Sequence, residues 1–360
     1  MCKSILNLHS LFILLFAGFF ALMSCEGPKG ADGAIGPQGP QGPQGPAGPS
    51  GAEQCGVCHN NTTDLVAKQV QWASSRHATG LNFERSTKDC APCHTSQGFV
   101  EVVETGALTT AADVQNPVGQ NCRTCHTIHT KYDATDWALR KTDPTKLQLT
   151  GTTADFKTGN VCAQCHQART ATLPDPATQE TFAVTNVRWG PHHSTAANIL
   201  AKSGAIEMAG SVAYEDTKHL QYVPKGCVSC HMAQAYGAQA GGHSMWMSYD
   251  YHGSEVDNIA ACKGCHSSIT TKFDDKDNII TNTTAKLTEL RNLLASKNIL
   301  DTTASYGVYS SDILKKGTYP SKLAAAAWNY LLVASDGSNG VHNPAYIKAI
   351  LQNSIEAIGE

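Results

Sequence analysis

The string Cys-X-X-Cys-His occurs six times in this chain. The copies are Cys55, Cys58 and His59; Cys90, Cys93 and His94; Cys122, Cys125 and His126; Cys162, Cys165 and His166; Cys227, Cys230 and His231; and Cys262, Cys265 and His266. Two cysteines at this spacing stand about one helical turn apart, so both thiols reach the vinyl groups of one porphyrin. The histidine that follows places an imidazole on its iron. Six copies predict six covalently bound haems c, and a chain so loaded is built to move electrons. Most gaps between copies are too short to hold an apolar core, so the porphyrins themselves are expected to be the core.

A single Cys-X-X-Cys pair leaves a zinc site open, which needs four Cys or His ligands. Here every pair is followed at once by His. The six copies use 12 of the 14 cysteines, leaving Cys2 and Cys25. No cysteine of the mature chain is then spare for a structural disulfide, although an exported location would permit one.

The front of the chain reads as an export signal. Lys3 is followed by an apolar run over residues 11–22, too short to span a bilayer and suited to a signal peptide. The run ends Leu22-Met23-Ser24-Cys25, which resembles a bacterial lipobox with Cys25 as the lipidated residue. One lipidated end anchors a protein without making it span the membrane. From Gly27 to Gly51 glycine then stands at every third position, with proline frequent after it. This is collagen-like composition. A single extended polyproline tether and a homotrimeric triple helix both use these residues, and the short run favours the tether. Such a stalk reaches up to roughly 80 Å at about 3 Å per residue.

Four regions follow. Residues 1–24 are the lipoprotein signal peptide, and 25–54 carry the lipidated Cys25 and the stalk. Residues 55–277 are the hexahaem domain. Residues 278–360 are a helical cover packed on it, with helices predicted over 285–300, 321–333 and 345–358 from the apolar spacing. Asn343-Pro344 marks a break. The fold class expected is mainly α with much coil and very little sheet: a multihaem cytochrome c fold with haems as the core, preceded by a collagen-like stalk. Net charge is −3. Haem propionates would make the loaded protein more acidic, which argues against nucleic acid and for basic partner surfaces.

Haem iron has a sixth position. Filling it with His or Met gives an electron-transfer site, and leaving it open gives a site for small-molecule chemistry. Outside the motifs the mature chain offers eight histidines. His77, His129, His192, His243 and His342 are the preferred partners. His193 competes with its neighbour, and His219 and His252 rank last. His129 follows His126 by three residues, so it serves a neighbouring iron rather than its own. Met208, Met232, Met245 and Met247 are read as packing residues, as are the tryptophans.

The six motifs resemble the multihaem cytochrome c superfamily. Residues 72–78, Pro191-His192-His193-Ser194, residues 227–232 with Gly241-Gly242-His243, and residues 337–344 are similar to segments of the ammonia-forming cytochrome c nitrite reductases and the octahaem hydroxylamine and tetrathionate enzymes. The resemblance implies a mostly helical fold round stacked haems, with His77, His243 and His342 as distal ligands. It departs in lacking the Cys-X-X-Cys-Lys motif that usually binds the catalytic haem of the pentahaem nitrite reductases, so fold and ligand roles carry over but catalysis does not.

Three function classes remain. The favoured one is a membrane-anchored carrier relaying electrons between redox proteins and a periplasmic or extracellular acceptor, exported as a bacterial lipoprotein to the outer membrane, on its periplasmic or cell-surface side. The second is a reductase of a small nitrogen or sulfur oxyanion, with one open iron and a pocket drawn from Arg188, His192, His193, His219, Tyr249, Tyr251 and His252. The third is a structural protein assembled through the collagen-like segment.

Overall fold

A computed structural model describes residues 56, 59, 63–80, 82–303 and 313–359. The export signal, Cys25, the stalk, Cys55 and Cys58 lie outside the described residues.

Helices in the first two thirds are short. They run α1 (Thr63–Ser74), α2 (Arg76–Thr79), α3 (Ala91–His94), α4 (Ser96–Thr105), α5 (Cys122–Cys125), α6 (Asn160–Ala163), α7 (Ala196–Leu200), α8 (His219–Tyr222) and α9 (Cys227–His231). Then come three long ones, α10 (Ile279–Ser296), α11 (Ser321–Asp336) and α12 (Pro344–Gly359). Four of the motifs lie on single helical turns, at α3, α5, α6 and α9, and the sixth on a run of turns. Polar caps start these turns where periodicity is absent. Thr95 accepts from the Gly98 N–H at 2.9 Å to open α4. Asn121 and Thr124 form a reciprocal capping box on α5. Thr124 also donates to the Ser96 hydroxyl at 2.9 Å, tying α5 to α4.

Among the described residues, sheet is confined to four two-stranded antiparallel ribbons. These pair β1 (Thr145–Lys146) with β2 (Thr153–Ala154), β3 (Thr181–Val184) with β8 (Gly317–Pro320), β4 (Ser248–Tyr251) with β5 (Ser254–Asp257), and β6 (Leu300–Asp301) with β7 (Ile313–Leu314).

Apolar burial is uneven. The main cluster joins α10, α11 and α12 to side chains from the 168–208 stretch, with Leu290, Leu294, Leu332, Tyr346 and Ile347 fully enclosed. Each such side chain contributes about 1.5–3 kcal/mol by leaving water. Several polar atoms inside are matched, whereas the Asn198 side-chain nitrogen and the Ser321 hydroxyl have no hydrogen-bond partner among the described residues. The Trp328 indole donates to the Gly204 carbonyl at 2.8 Å, and the buried Asn329 both accepts from the Ile206 N–H and donates to its carbonyl at 2.8 Å. A smaller cluster holds Leu147, Ala154, Phe156, Ala163 and Ala197. From Thr63 to Arg140 the described buried apolar side chains are Ala91, Pro92 and Phe99 alone, and neither cluster reaches there. The C-terminal helices, expected as a cover, are therefore the main apolar core, and β3 and the 204–214 segment wrap onto them.

Glycine lets the fourth and fifth motifs touch. Gly226, just before α9, has φ +55, and a Cβ there would meet the Phe156 carbonyl oxygen at 2.0 Å. Gly159, just before α6, would drive a Cβ to 2.7 Å from the Cys227 sulfur. Only a bare backbone at both positions admits this approach.

Candidate haem-binding site

Each of the six motif histidines faces a second histidine from elsewhere in the chain. Ring centres lie 6.2 Å apart for His59 and His129, 5.9 Å for His166 and His77, and 6.2 Å for His94 and His192. They lie 6.4 Å apart for His126 and His243, 6.2 Å for His231 and His342, and 5.9 Å for His266 and His219. A metal held between two imidazoles by bonds of about 2 Å on opposite sides sets their ring centres roughly 6 Å apart. Among the described residues no three His, Cys, Asp or Glu side chains converge as a closed metal site. That is the wrong arrangement for tetrahedral zinc. Two opposed imidazoles beside a pair of thiols is the donor set of a haem c. The residues present fit that group.

Five of these partner histidines are the ones preferred from sequence. The sixth, His219, ranked last there. It opens α8, and its ring lies edge-on to His266. No local pattern marks it. Only counting does, since five partners leave the sixth motif without one. His252 has a different place: His252 and Gly253, at φ +54 and +85, form the two-residue turn between β4 and β5. The His193 ring lies tilted against that of His192, with centres 5.0 Å apart.

Main-chain and side-chain acceptors aim several rings. The His126 Nδ1 lies 2.6 Å from the Trp137 carbonyl oxygen, His231 Nδ1 3.2 Å from that of Met245, and His219 Nδ1 3.3 Å from that of His342. The His342 Nδ1 lies 2.6 Å from a carboxylate oxygen of Asp336. Trp72 stacks nearly parallel on His77 at 5.8 Å. The Gln71 side chain accepts from the His243 N–H at 3.0 Å, linking α1 to the segment after α9.

The environment holds most of these imidazoles neutral, as metal ligation requires. Desolvation, aided by the neighbouring His77, His231 and His342, lowers His166 to about 4. Desolvation and then the Arg169 charge lower His192 to about 4. Desolvation also lowers His77, His94, His219, His231 and His243. At His342 it pulls the same way, but the Asp336 carboxylate overrides it and the net shift is upward.

Thiols of different motifs also meet. The Cys93 thiol lies beside that of Cys165, and the Cys162 thiol beside that of Cys227. The fourth motif thus adjoins the second and the fifth. The residues considered for an oxyanion pocket do not form one group. His192 and His193 stand by His94 with Arg85 and Arg169, and His219 belongs to His266. Tyr249, Tyr251 and His252 belong to the β4–β5 ribbon, where Tyr249 stacks on Tyr236 at 4.2 Å.

No family model matches this chain, and no curated protein matches it. Among solved structures it is similar to the outer cell wall cytochrome OcwA, at 21% identity and a TM-score of 0.45, over 81% of this chain and 50% of that one. It is also similar to the undecahaem cytochrome from the S-layer of Carboxydothermus ferrireducens, at 15% identity and a TM-score of 0.38, over 82% of this chain and 40% of that one. The chain spans half the length of the first and less of the second. Among the described residues no helix is long and apolar enough to cross a membrane.

Proposed function

We propose that this chain is a hexahaem c-type cytochrome that relays electrons, each iron held between two histidines. One observation carries the reading: all six motif histidines face a second histidine at 5.9–6.4 Å. The thiols of Cys55, Cys58, Cys90, Cys93, Cys122, Cys125, Cys162, Cys165, Cys227, Cys230, Cys262 and Cys265 attach the six haems. His59, His94, His126, His166, His231 and His266 are the proximal ligands, and His129, His192, His243, His77, His342 and His219 their respective partners. Haems held by these histidine pairs would supply one-electron exchange. The protein's part is to orient the imidazoles and keep them neutral.

The same pairing speaks against the oxyanion-reductase reading, which needs an open iron. For location we propose an exported lipoprotein, tethered through Cys25 and the collagen-like segment at the outer membrane, working between donor and acceptor redox proteins. The lipobox and the Gly-X-Y repeat support this. Low-temperature EPR of the oxidised holoprotein, with and without nitrite and with an iron-to-protein count, tests the proposal. Six low-spin irons unmoved by nitrite are expected. A high-spin signal that shifts on adding nitrite would transfer the chain to the reductase class.

A further inference from the structure

Asp336 is an acid in a place that local rules disfavour. It is the last residue of α11, where the helix dipole repels negative charge, and its side chain is fully enclosed. Three hydrogen bonds answer that charge. One oxygen lies 2.6 Å from the His342 Nδ1. The other accepts from the Ser338 hydroxyl and from the Ser338 N–H. Ser338 in turn accepts from the His342 N–H at 3.2 Å, closing a ring of contacts round this histidine.

Among the described residues, four of the twelve paired histidines have an acceptor at Nδ1. Three of those acceptors are neutral main-chain carbonyls, on His126, His231 and His219, and the fourth is the Asp336 carboxylate on His342. A carboxylate draws the Nδ1 proton harder than a carbonyl, fixes the tautomer that leaves Nε2 free, and makes the opposite nitrogen more electron-rich.

Resting on the axial-pair reading above, we propose that Asp336 is a positioning residue. It locks His342 toward His231 and sets the potential of that pair's iron below the other five by enriching its ligand. Because the His342 carbonyl also receives the His219 Nδ1, the same short segment orients the partners of the fifth and the sixth motif.

The test is a spectroelectrochemical titration of the full holoprotein with low-temperature EPR, on wild type, Asp336→Asn and Ser338→Ala, with His342→Met to identify the component. Asp336→Asn keeps the shape and an acceptor oxygen but removes the charge. It should move the lowest of the six midpoints upward and leave the other five in place. Ser338→Ala removes a competing donor and leaves the carboxylate freer to pull on His342, so it should move the same midpoint downward. A merely structural role would not give opposite signs at one iron. Low-spin spectra with all midpoints unchanged in Asp336→Asn would overturn the assignment. If that variant does not fold, an unmoved or upward-moving midpoint in Ser338→Ala would overturn it. A wild-type protein lacking low-spin haem would instead sink the axial-pair reading itself.

Discussion

Two partner histidines, His129 and His192, hold left-handed backbone angles, at φ +60 and +74. Side chains with a Cβ rarely settle there, and the conformation costs about 1–3 kcal/mol. Such strain persists only where something opposes it, and under the proposed pairing an imidazole–iron bond would supply the opposition. The residue scale also separates histidines that look alike in sequence. His219→Ala should convert one of the six irons to a high-spin, carbon-monoxide-binding form, read by EPR and by the optical change on adding carbon monoxide. His252→Ala, at a hairpin turn, should leave all six low-spin. Retained low-spin haem throughout in His219→Ala would remove it from the ligand set. Trp328→Ala should cost about 3–5 kcal/mol in denaturant unfolding, since the indole is fully buried, packs on Trp189 at 5.4 Å and donates to the Gly204 carbonyl.

The elements follow periodicity where burial is one-sided and depart from it where polar side chains take over. The first long C-terminal helix, expected at residue 285, begins at Ile279 because the Asp274 side chain accepts from the N–H groups of Ile280 and Thr281 and caps the start from outside. It ends at Ser296 rather than 300, because Asn298 turns left-handed and sends Ile299 and Leu300 into the core and strand β6. Those two apolar residues look helical in sequence and are not. The other two helices were legible to within a few residues, since their apolar faces are long. The six Cys-X-X-Cys-His motifs, and five of the histidines that stand opposite them in the fold, were legible from spacing and context. His219 was not, because a partner ring is defined by what it faces across the fold. Gly226 makes an element-scale prediction. Gly226→Ala should separate α9 from the fourth motif's segment and cost at least about 1–3 kcal/mol from backbone strain alone, seen as a lower thermal midpoint. An unchanged midpoint would mean the approach at Phe156 relaxes freely.

At the scale of the whole molecule, stability has two sources. The three long helices carry an ordinary apolar core, whereas the region from Thr63 to Arg140 buries almost none among its described residues. A haem-free protein, made by replacing the motif cysteines with serine, should keep amide-exchange protection over 279–296 and 321–359 and lose it over 63–140. Full protection of both would show that the N-terminal part does not need the porphyrins.

The six histidine pairs also have an order in time. Drawn as arcs along the chain, 59 with 129, 77 with 166, 94 with 192, and 126 with 243 cross one another, and 231 waits for 342. A chain threaded across a membrane from its front end can attach its first haem early. Under the proposed pairing it would then leave that iron half-ligated until residue 129 has emerged, and the fifth until almost the last helix has. Maturation of such a molecule is a race between late-arriving native partners and earlier wrong ones, and its C-terminal segment decides when that race ends.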